Sequence, residues 1–244
     1  LNIALAGTGV GKSLFMCHVA SSCLLQGRNV LYITCEMAEE KIAERIDANL
    51  LDIPIQQLQD PLLTKQKYRA KIDVLKKKTQ GKLVIKEYPT ASAHVGHFKA
   101  LLNELSLKKG FHPEIIFVDY LNICASSRYK GTIVNSYTYV KAIAEELRGL
   151  AGEYNVPILS ATQTTRSGYG NSNVEITDTS ESFGLPATAD LMFALISTED
   201  MEELNQIMVK QLKNRYNDPT VYKRIVLGID RQKMRLYDCE QGAQ

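Results

Sequence analysis

Short apolar runs alternate with stretches in which apolar residues return every three or four positions, and the alternation persists over most of the chain. The runs Asn2–Ala6, Asn29–Thr34, Lys82–Tyr88, Glu114–Val118, Val156–Ala161 and Asp190–Ser197 have the length and composition of strands. Lys12–Leu25, Ala38–Leu50, Val95–Leu107 and Ser136–Tyr154 carry the helical period. Glu114–Val118 is almost wholly apolar, as a strand buried on both faces should be. Alternating strands and helices predict an α/β fold, a mostly parallel twisted sheet flanked by helices. Beyond about residue 206 the helices drop out. Ile207–Leu212, Tyr222–Ile229 and Met234–Cys239 follow one another as strands and predict a C-terminal antiparallel extension. In the lysine-rich segment Gln59–Lys82, Tyr68, Ile72 and Leu75 fall at helical spacing, which predicts an amphipathic helix with its lysines toward water.

At 244 residues and 45% apolar content, the chain fits one α/β domain with a sizeable core. A net charge of +2 excludes bulk electrostatic binding of nucleic acid but leaves room for a local basic surface. Cys17, Cys23, Cys35, Cys124 and Cys239 are odd in number and form no Cys-x-x-Cys pair, so they read as buried thiols in a reducing compartment. His94 and His97 stand apart from other metal-ligand types and read as surface histidines near a helix start. No apolar run reaches membrane-spanning length, so no membrane association is expected. The chain begins at Leu1 directly on a predicted core strand, which reads as a piece of a longer protein.

Candidate chemistry starts at Ala6-Gly7-Thr8-Gly9-Val10-Gly11-Lys12-Ser13, between a predicted strand and a predicted helix. That is the setting of a P-loop, in which backbone N–H groups from Gly7 through Leu14 can turn inward around phosphate oxygens. Lys12 would reach the β- and γ-phosphates of ATP, and the Ser13 hydroxyl would bind Mg²⁺. Ala6 stands where the common pattern has Gly, while Gly11-Lys12-Ser13 is intact. Ile115-Ile116-Phe117-Val118-Asp119, an apolar strand ending in Asp, looks like a Walker B element whose carboxylate would hold the Mg²⁺. Glu36, just past a predicted strand, is placed either as a base for water or as an ordinary charge at a helix start. Gln163, past another strand, could sense the γ-phosphate, but from the residues alone it is an ordinary loop glutamine.

Taken together and in order, these elements resemble the RecA-like motor of DnaB-type hexameric replicative helicases, including those of phages. The resemblance is carried further by Leu31-Tyr32-Ile33, Glu36-Met37-Ala38-Glu39-Glu40, Arg45-Ile46-Asp47-Ala48-Asn49 and Val118-Asp119-Tyr120-Leu121. Val140–Arg148 and Gly184–Asp190 extend it over nearly the whole chain. The resemblance implies that Lys12 and Ser13 contact phosphate and Mg²⁺, that Glu36 is the catalytic glutamate, Asp119 the Walker B aspartate and Gln163 the sensor. It implies that Lys213 and Arg215, in Lys213-Asn214-Arg215-Tyr216, reach into the next subunit's ATP site. Their position between two late strands suggests an edge hairpin. Two loops are implied to face single-stranded DNA: 126–131, with Arg128 and Lys130, and 164–180, with Arg166. Also implied are a homo-hexamer in the full-length protein, a primase and a helicase loader as partners, and a cytoplasmic location, the host's for a phage protein. The resemblance implies that the family's N-terminal domain and linker helix lie outside this chain. Two other readings of the P-loop stay open, a RecA-type strand-exchange ATPase and a small-molecule kinase. A kinase would want an arginine-rich lid near the phosphates, which is not seen, and a non-catalytic scaffold fits poorly with the set Lys12, Ser13, Glu36 and Asp119.

Overall fold

In the computed structural model, residues 1–58, 65–129, 134–164, 174–179 and 184–240 are described. The apolar runs become β1 (Asn2–Ala6), β2 (Val30–Thr34), β3 (Leu83–Glu87), β4 (Ile115–Asp119), β5 (Ile158–Gln163) and β6 (Leu191–Ile196). The late strands are β7 (Gln206–Asn214), β8 (Arg224–Asp230) and β9 (Arg235–Asp238). All join one sheet in the order β3-β2-β4-β5-β1-β6-β7-β8-β9. β1 to β6 are parallel to their neighbours, and β6 to β9 pair antiparallel. β9 forms the sheet's edge, so the segment between β7 and β8 is not the edge hairpin the sequence suggested.

Both faces of the parallel part are covered, which is why its strands read as unbroken apolar runs. Alternate side chains serve opposite layers. Leu31, Ile33, Ile116 and Val118 pack with Phe98, Leu101, Leu102 and Leu105 of α5 (Val95–Lys109) and with Val140, Ile143, Leu147 and Leu150 of α6 (Ser136–Glu153). Val30, Tyr32 and Phe117, between those positions, pack with Met16, Cys17, Ala20 and Leu24 of α1 (Lys12–Leu25). Ile42 and Ile46 of α2 (Glu39–Leu51) complete that second layer. A smaller cluster holds the antiparallel extension against the start of α1, through Leu14, Ile207, Ile229 and Leu236.

The short helices α3 (Ile55–Leu58), α7 (Gly184–Thr188) and α8 (Glu199–Glu203) and the lysine-rich α4 (Lys65–Lys78) complete the chain. On α4, Leu75 is buried while Lys76 and Lys77 are exposed, as its periodicity predicts. His94 caps α5: its Nδ1 accepts from the Gly96 amide at 3.0 Å, and His97 Nδ1 accepts from the His94 amide at 3.2 Å. At its other end Gly110 adopts a left-handed φ of 56°, the usual way to close a helix C-terminus. The cysteines are all free; Cys17, Cys35 and Cys124 are buried, whereas Cys23 and Cys239 are half-buried. No helix among the described residues is long and apolar enough to cross a membrane.

Phe98 is fully buried at the centre of the α5–α6 layer. Phe98→Ala is expected to cost about 3–5 kcal/mol in a chemical denaturation experiment, the usual range for an emptied aromatic core site. A loss below about 1 kcal/mol would contradict this packing.

Candidate active site

In an open α/β sheet, ligands gather beyond the carboxyl ends of the parallel strands. Here those ends carry the P-loop after β1, Glu36 after β2, Asp119 closing β4 and Gln163 closing β5. Register fixes their proximity: Thr34 pairs with Asp119, and Ala6 pairs with Gln163. β5 lies between the strand that leads into the P-loop and the strand that ends in Asp119.

The P-loop takes backbone conformations that suit glycine, with φ of 80° at Gly9 and 121° at Gly11. Gly11 caps α1 without any side-chain acceptor, and α1 carries no acidic residue in its first turn. Its leading N–H groups and the positive end of its dipole are left for an anion. Lys12 Nζ folds back to the Gly7 carbonyl at 3.4 Å and stands 5.7 Å from the centroid of the Tyr120 ring. Burial lowers the Lys12 pKa, and the charges of Glu36 and Asp119 oppose that shift.

Asp119 is fully buried. Desolvation raises its pKa, while the Ser13 and Tyr32 hydroxyls, Lys12 and Arg45 pull the other way. Tyr32 donates to Oδ2 at 2.9 Å and is itself fully buried, stacked on Phe117 with ring centroids 5.5 Å apart. Asp119 Oδ1 is buried without a hydrogen-bond partner among the described residues. A carboxylate oxygen left bare beside a serine hydroxyl at a P-loop fits a hard divalent cation with oxygen ligands. No cluster of three or more His, Cys, Asp or Glu able to hold a metal occurs among the described residues. The fit is therefore to a cation that also needs oxygens from a bound nucleotide.

Glu36 is exposed, but the turn that carries it is tied down. Thr34 Oγ1 donates to the Met37 carbonyl at 2.8 Å and accepts from the Met37 amide at 3.1 Å. The Cys35 amide donates to the Asp119 carbonyl at 2.8 Å, and Thr90 Oγ1 donates to the Cys35 carbonyl at 2.8 Å. The carboxylate thus stands on a fixed support facing the solvent, close enough for its charge to act on Lys12. Gln163 Nε2 donates to the Tyr120 hydroxyl at 3.2 Å, so Tyr120 touches both Gln163 and the field of Lys12. Tyr32 and Tyr120 were not singled out from sequence. The available signal was a tyrosine inside an otherwise aliphatic strand and another directly after the strand-ending Asp119.

Lys213 and Arg215 are not brought to this edge. β7 runs antiparallel to β6, pairing Asn214 with Leu191, and Leu191 pairs with Asn2 at the start of β1. The five residues of β1 separate that end from the P-loop by about 16 Å at ~3.3 Å per residue. There Arg215 Nε meets Asp190 Oδ1 at 2.9 Å, and Lys213 Nζ donates to the Pro186 carbonyl at 2.5 Å. Arg148 also binds Asp190, at 3.0 Å. Burial, and then the neighbouring Arg215, lower the Lys213 pKa. A cleft of about 990 Å³ opens beside this group, lined in part by Arg148, Asp190, Arg215 and Tyr216. Arg128 is held in an ion pair with Glu145 of α6 at 2.5 Å. Lys130 and Arg166 lie outside the described residues.

A P-loop entering a helix, a buried strand-ending aspartate two strands away, and an antiparallel extension define the class as a RecA-like P-loop NTPase fold. The sequence profile of the DnaB-like helicase C-terminal domain matches residues 1–228, and the chain belongs to that family. It is 45% identical over 244 residues to the DnaB-like replicative helicase of Enterobacteria phage T4, covering all of this chain and 51% of that protein. It is 25% identical over 194 residues to the replicative DNA helicase DnaB of Helicobacter pylori (strain ATCC 700392 / 26695), covering 78% of this chain and 38% of that one. The chain thus spans about half the length, or less, of these relatives. Among solved structures, one described as an ATPase domain superposes with a TM-score of 0.80 at 17% identity, covering 98% of this chain and 84% of that one. A DnaB-like replicative helicase described with its interactions with primase superposes with a TM-score of 0.78 at 16% identity, covering 98% and 57%.

The buried Asp119 allows a test by pH. Its folded pKa lies above the unfolded value, so the cost of its charge is absent below the ordinary carboxylate range and grows as the pH rises through the folded pKa. Asp119→Asn is expected to raise the Tm of the nucleotide-free protein at neutral pH, with the gap closing in acid. A Tm below wild type at neutral pH would contradict a carboxylate whose burial outweighs its partners.

Proposed function

We propose that this chain is the ATP-hydrolysing motor of a ring-shaped replicative helicase that moves along single-stranded DNA and separates the duplex. The observation that carries the reading is the division of parts between the two ends of the sheet's parallel strands. Lys12, Ser13, Asp119 and Glu36 gather at one end, and Lys213 and Arg215 stand at the other. A γ-phosphate at the P-loop lacks an arginine from its own chain's basic pair, and a second copy stacked head to tail would supply it. Phosphoryl transfer spreads charge over the γ-phosphate oxygens, which is where an inserted guanidinium acts.

In this reading Gly7 through Leu14 cradle the phosphates of ATP. Ser13 and the bare Oδ1 of Asp119 would hold Mg²⁺. The ion neutralises phosphate charge when bound. Glu36 orients and deprotonates the attacking water. Tyr32 holds Asp119 in place, and Gln163, through Tyr120, senses the terminal phosphate at the root of the loop that follows β5. That loop, with Arg166, and the loop after β4, with Arg128 and Lys130, contact the DNA backbone without regard to sequence. The full-length protein is a homo-hexamer of the cytoplasm that works with a primase and a loader. The sequence likenesses to replicative helicases support a helicase over a strand-exchange ATPase or a small-molecule kinase.

The deciding experiment is the ATPase rate of the full-length protein with and without single-stranded DNA. DNA should stimulate the wild type, and a rate indifferent to DNA would reject the motor. Glu36→Gln should keep nucleotide binding and lose about 10²-fold or more in hydrolysis, the contribution of a positioned base. Wild-type turnover in that variant would remove Glu36 from the chemistry. Arg215→Ala should lose about 10³-fold or more. Mixing Arg215→Ala with Lys12→Ala subunits should restore measurable ATPase at interfaces that join an intact P-loop to an intact arginine. Full activity of Arg215→Ala alone, under conditions where rings form, would exclude an action across the interface.

A further inference from the structure

Lys210 lies within β7, paired with Ala194 on β6 and Arg224 on β8. Its side chain is only 2% exposed. Lysine is almost never buried so deeply without a charged or polar reason. Among the described residues, Lys210 Nζ donates to the Val174 carbonyl at 2.7 Å and meets Glu175 Oε1 at 2.7 Å. Val174 is buried against Leu5, Ala194 and Ile196, and Glu175 caps the 3₁₀ turn Ile176–Asp178. After that turn Thr179 pairs with Thr164, the residue that follows Gln163. The return limb of the loop after β5 is therefore fastened twice. One tie is beside Gln163, and the other is to a strand that passes through Lys213, ends at Asn214 and leads into Arg215.

We propose that Lys210 is a positioning residue that fixes the base of the DNA-facing loop to β7, so that the strand carrying Lys213 and Arg215 also sets where that loop stands. The proposal rests on the assignment of this loop to DNA under Proposed function. It assigns Lys210 no contact with nucleotide or DNA. Its part is to make a displacement of β7, pushed by a nucleotide at the neighbouring site, felt by the loop.

The test uses the full-length protein and the variants Lys210→Met, Lys210→Arg and Glu175→Ala, with Arg166→Ala as reference. Methionine keeps much of the buried volume and removes the cation, and the carboxylate it leaves behind on Glu175 is 57% exposed, so no buried charge is stranded. Lys210→Met is expected to keep its Tm and its DNA-free ATPase rate. Its affinity for single-stranded DNA and its DNA stimulation should fall about five-fold or more, the lower range of coupling between sites. Lys210→Arg, which retains donors, should recover part of the loss. Glu175→Ala alters a side chain that is 57% exposed and should reproduce the DNA defect even if Lys210→Met fails to fold. Wild-type DNA affinity and stimulation in Lys210→Met or Glu175→Ala, with Arg166→Ala weakened, would overturn the proposal and leave the DNA path standing. If Arg166→Ala is unaffected as well, the assignment of the loop to DNA fails and the proposal with it. A parallel fall in Tm, DNA-free rate and DNA affinity would reduce Lys210 to a structural residue and also overturn the proposal.

Discussion

The rest of the site is arranged around a carboxylate driven into a place where water cannot reach it. Asp119 ends the central β4, fully buried, with one oxygen taken by Tyr32 and the other bare. Leaving a buried acceptor unpaired costs about 1–3 kcal/mol, a deficit that a bound cation would relieve. Its surroundings are built to hold that deficit still. Tyr32 is immobilised by stacking on Phe117, and Ser160 Oγ ties β5 to the Val118 carbonyl at 2.6 Å. The Asp119 carbonyl anchors the turn that presents Glu36. Groups that differ in exposure and in sequence position are thereby referred to one strand end.

Much of the fold was legible because its periodicities are local. Strands buried on both faces leave unbroken apolar runs, and α1, α2, α5 and α6 are long enough to show a helical repeat, so their limits fall within a residue or two of expectation. The antiparallel tail was legible for the complementary reason that no helical period separates its strands. The short helices α3, α7 and α8 span little more than a turn, which is too few residues to display a period. The order of strands is a matter of long-range pairing. Only there does it emerge that β5 lies between β1 and β4 and that β9, not the segment carrying Arg215, forms the edge.

The candidate site divides in the same way. The P-loop is contiguous and readable as it stands, because glycine, lysine and serine must occur at fixed offsets to surround a phosphate. Asp119 is readable from the strand before it. Tyr32 and Tyr120 are ordinary residues until β4 is set between β2 and β5, when one meets Asp119 and the other meets Gln163 and Lys12. Lys210 was invisible for a further reason: a lysine in a β-strand reads as an outward-facing charge, and its burial depends on Val174 and Glu175 returning from a distant loop. Glu36 lies between these cases, since its position was legible but the clamp formed by Thr34, Met37 and Thr90 was not.

The parallel part of the sheet gives the molecule a front and a back. In the proposed ring the front of one subunit is served by the back of the next, a head-to-tail contact of the kind that either closes into a ring or continues as a fibre. An open row of n copies completes n − 1 composite sites, leaving one P-loop unserved and one basic pair idle, whereas a closed ring completes n. Ring closure would then add working capacity without any change within a subunit, and an interrupted ring would register as a missing site before it registered as a missing contact.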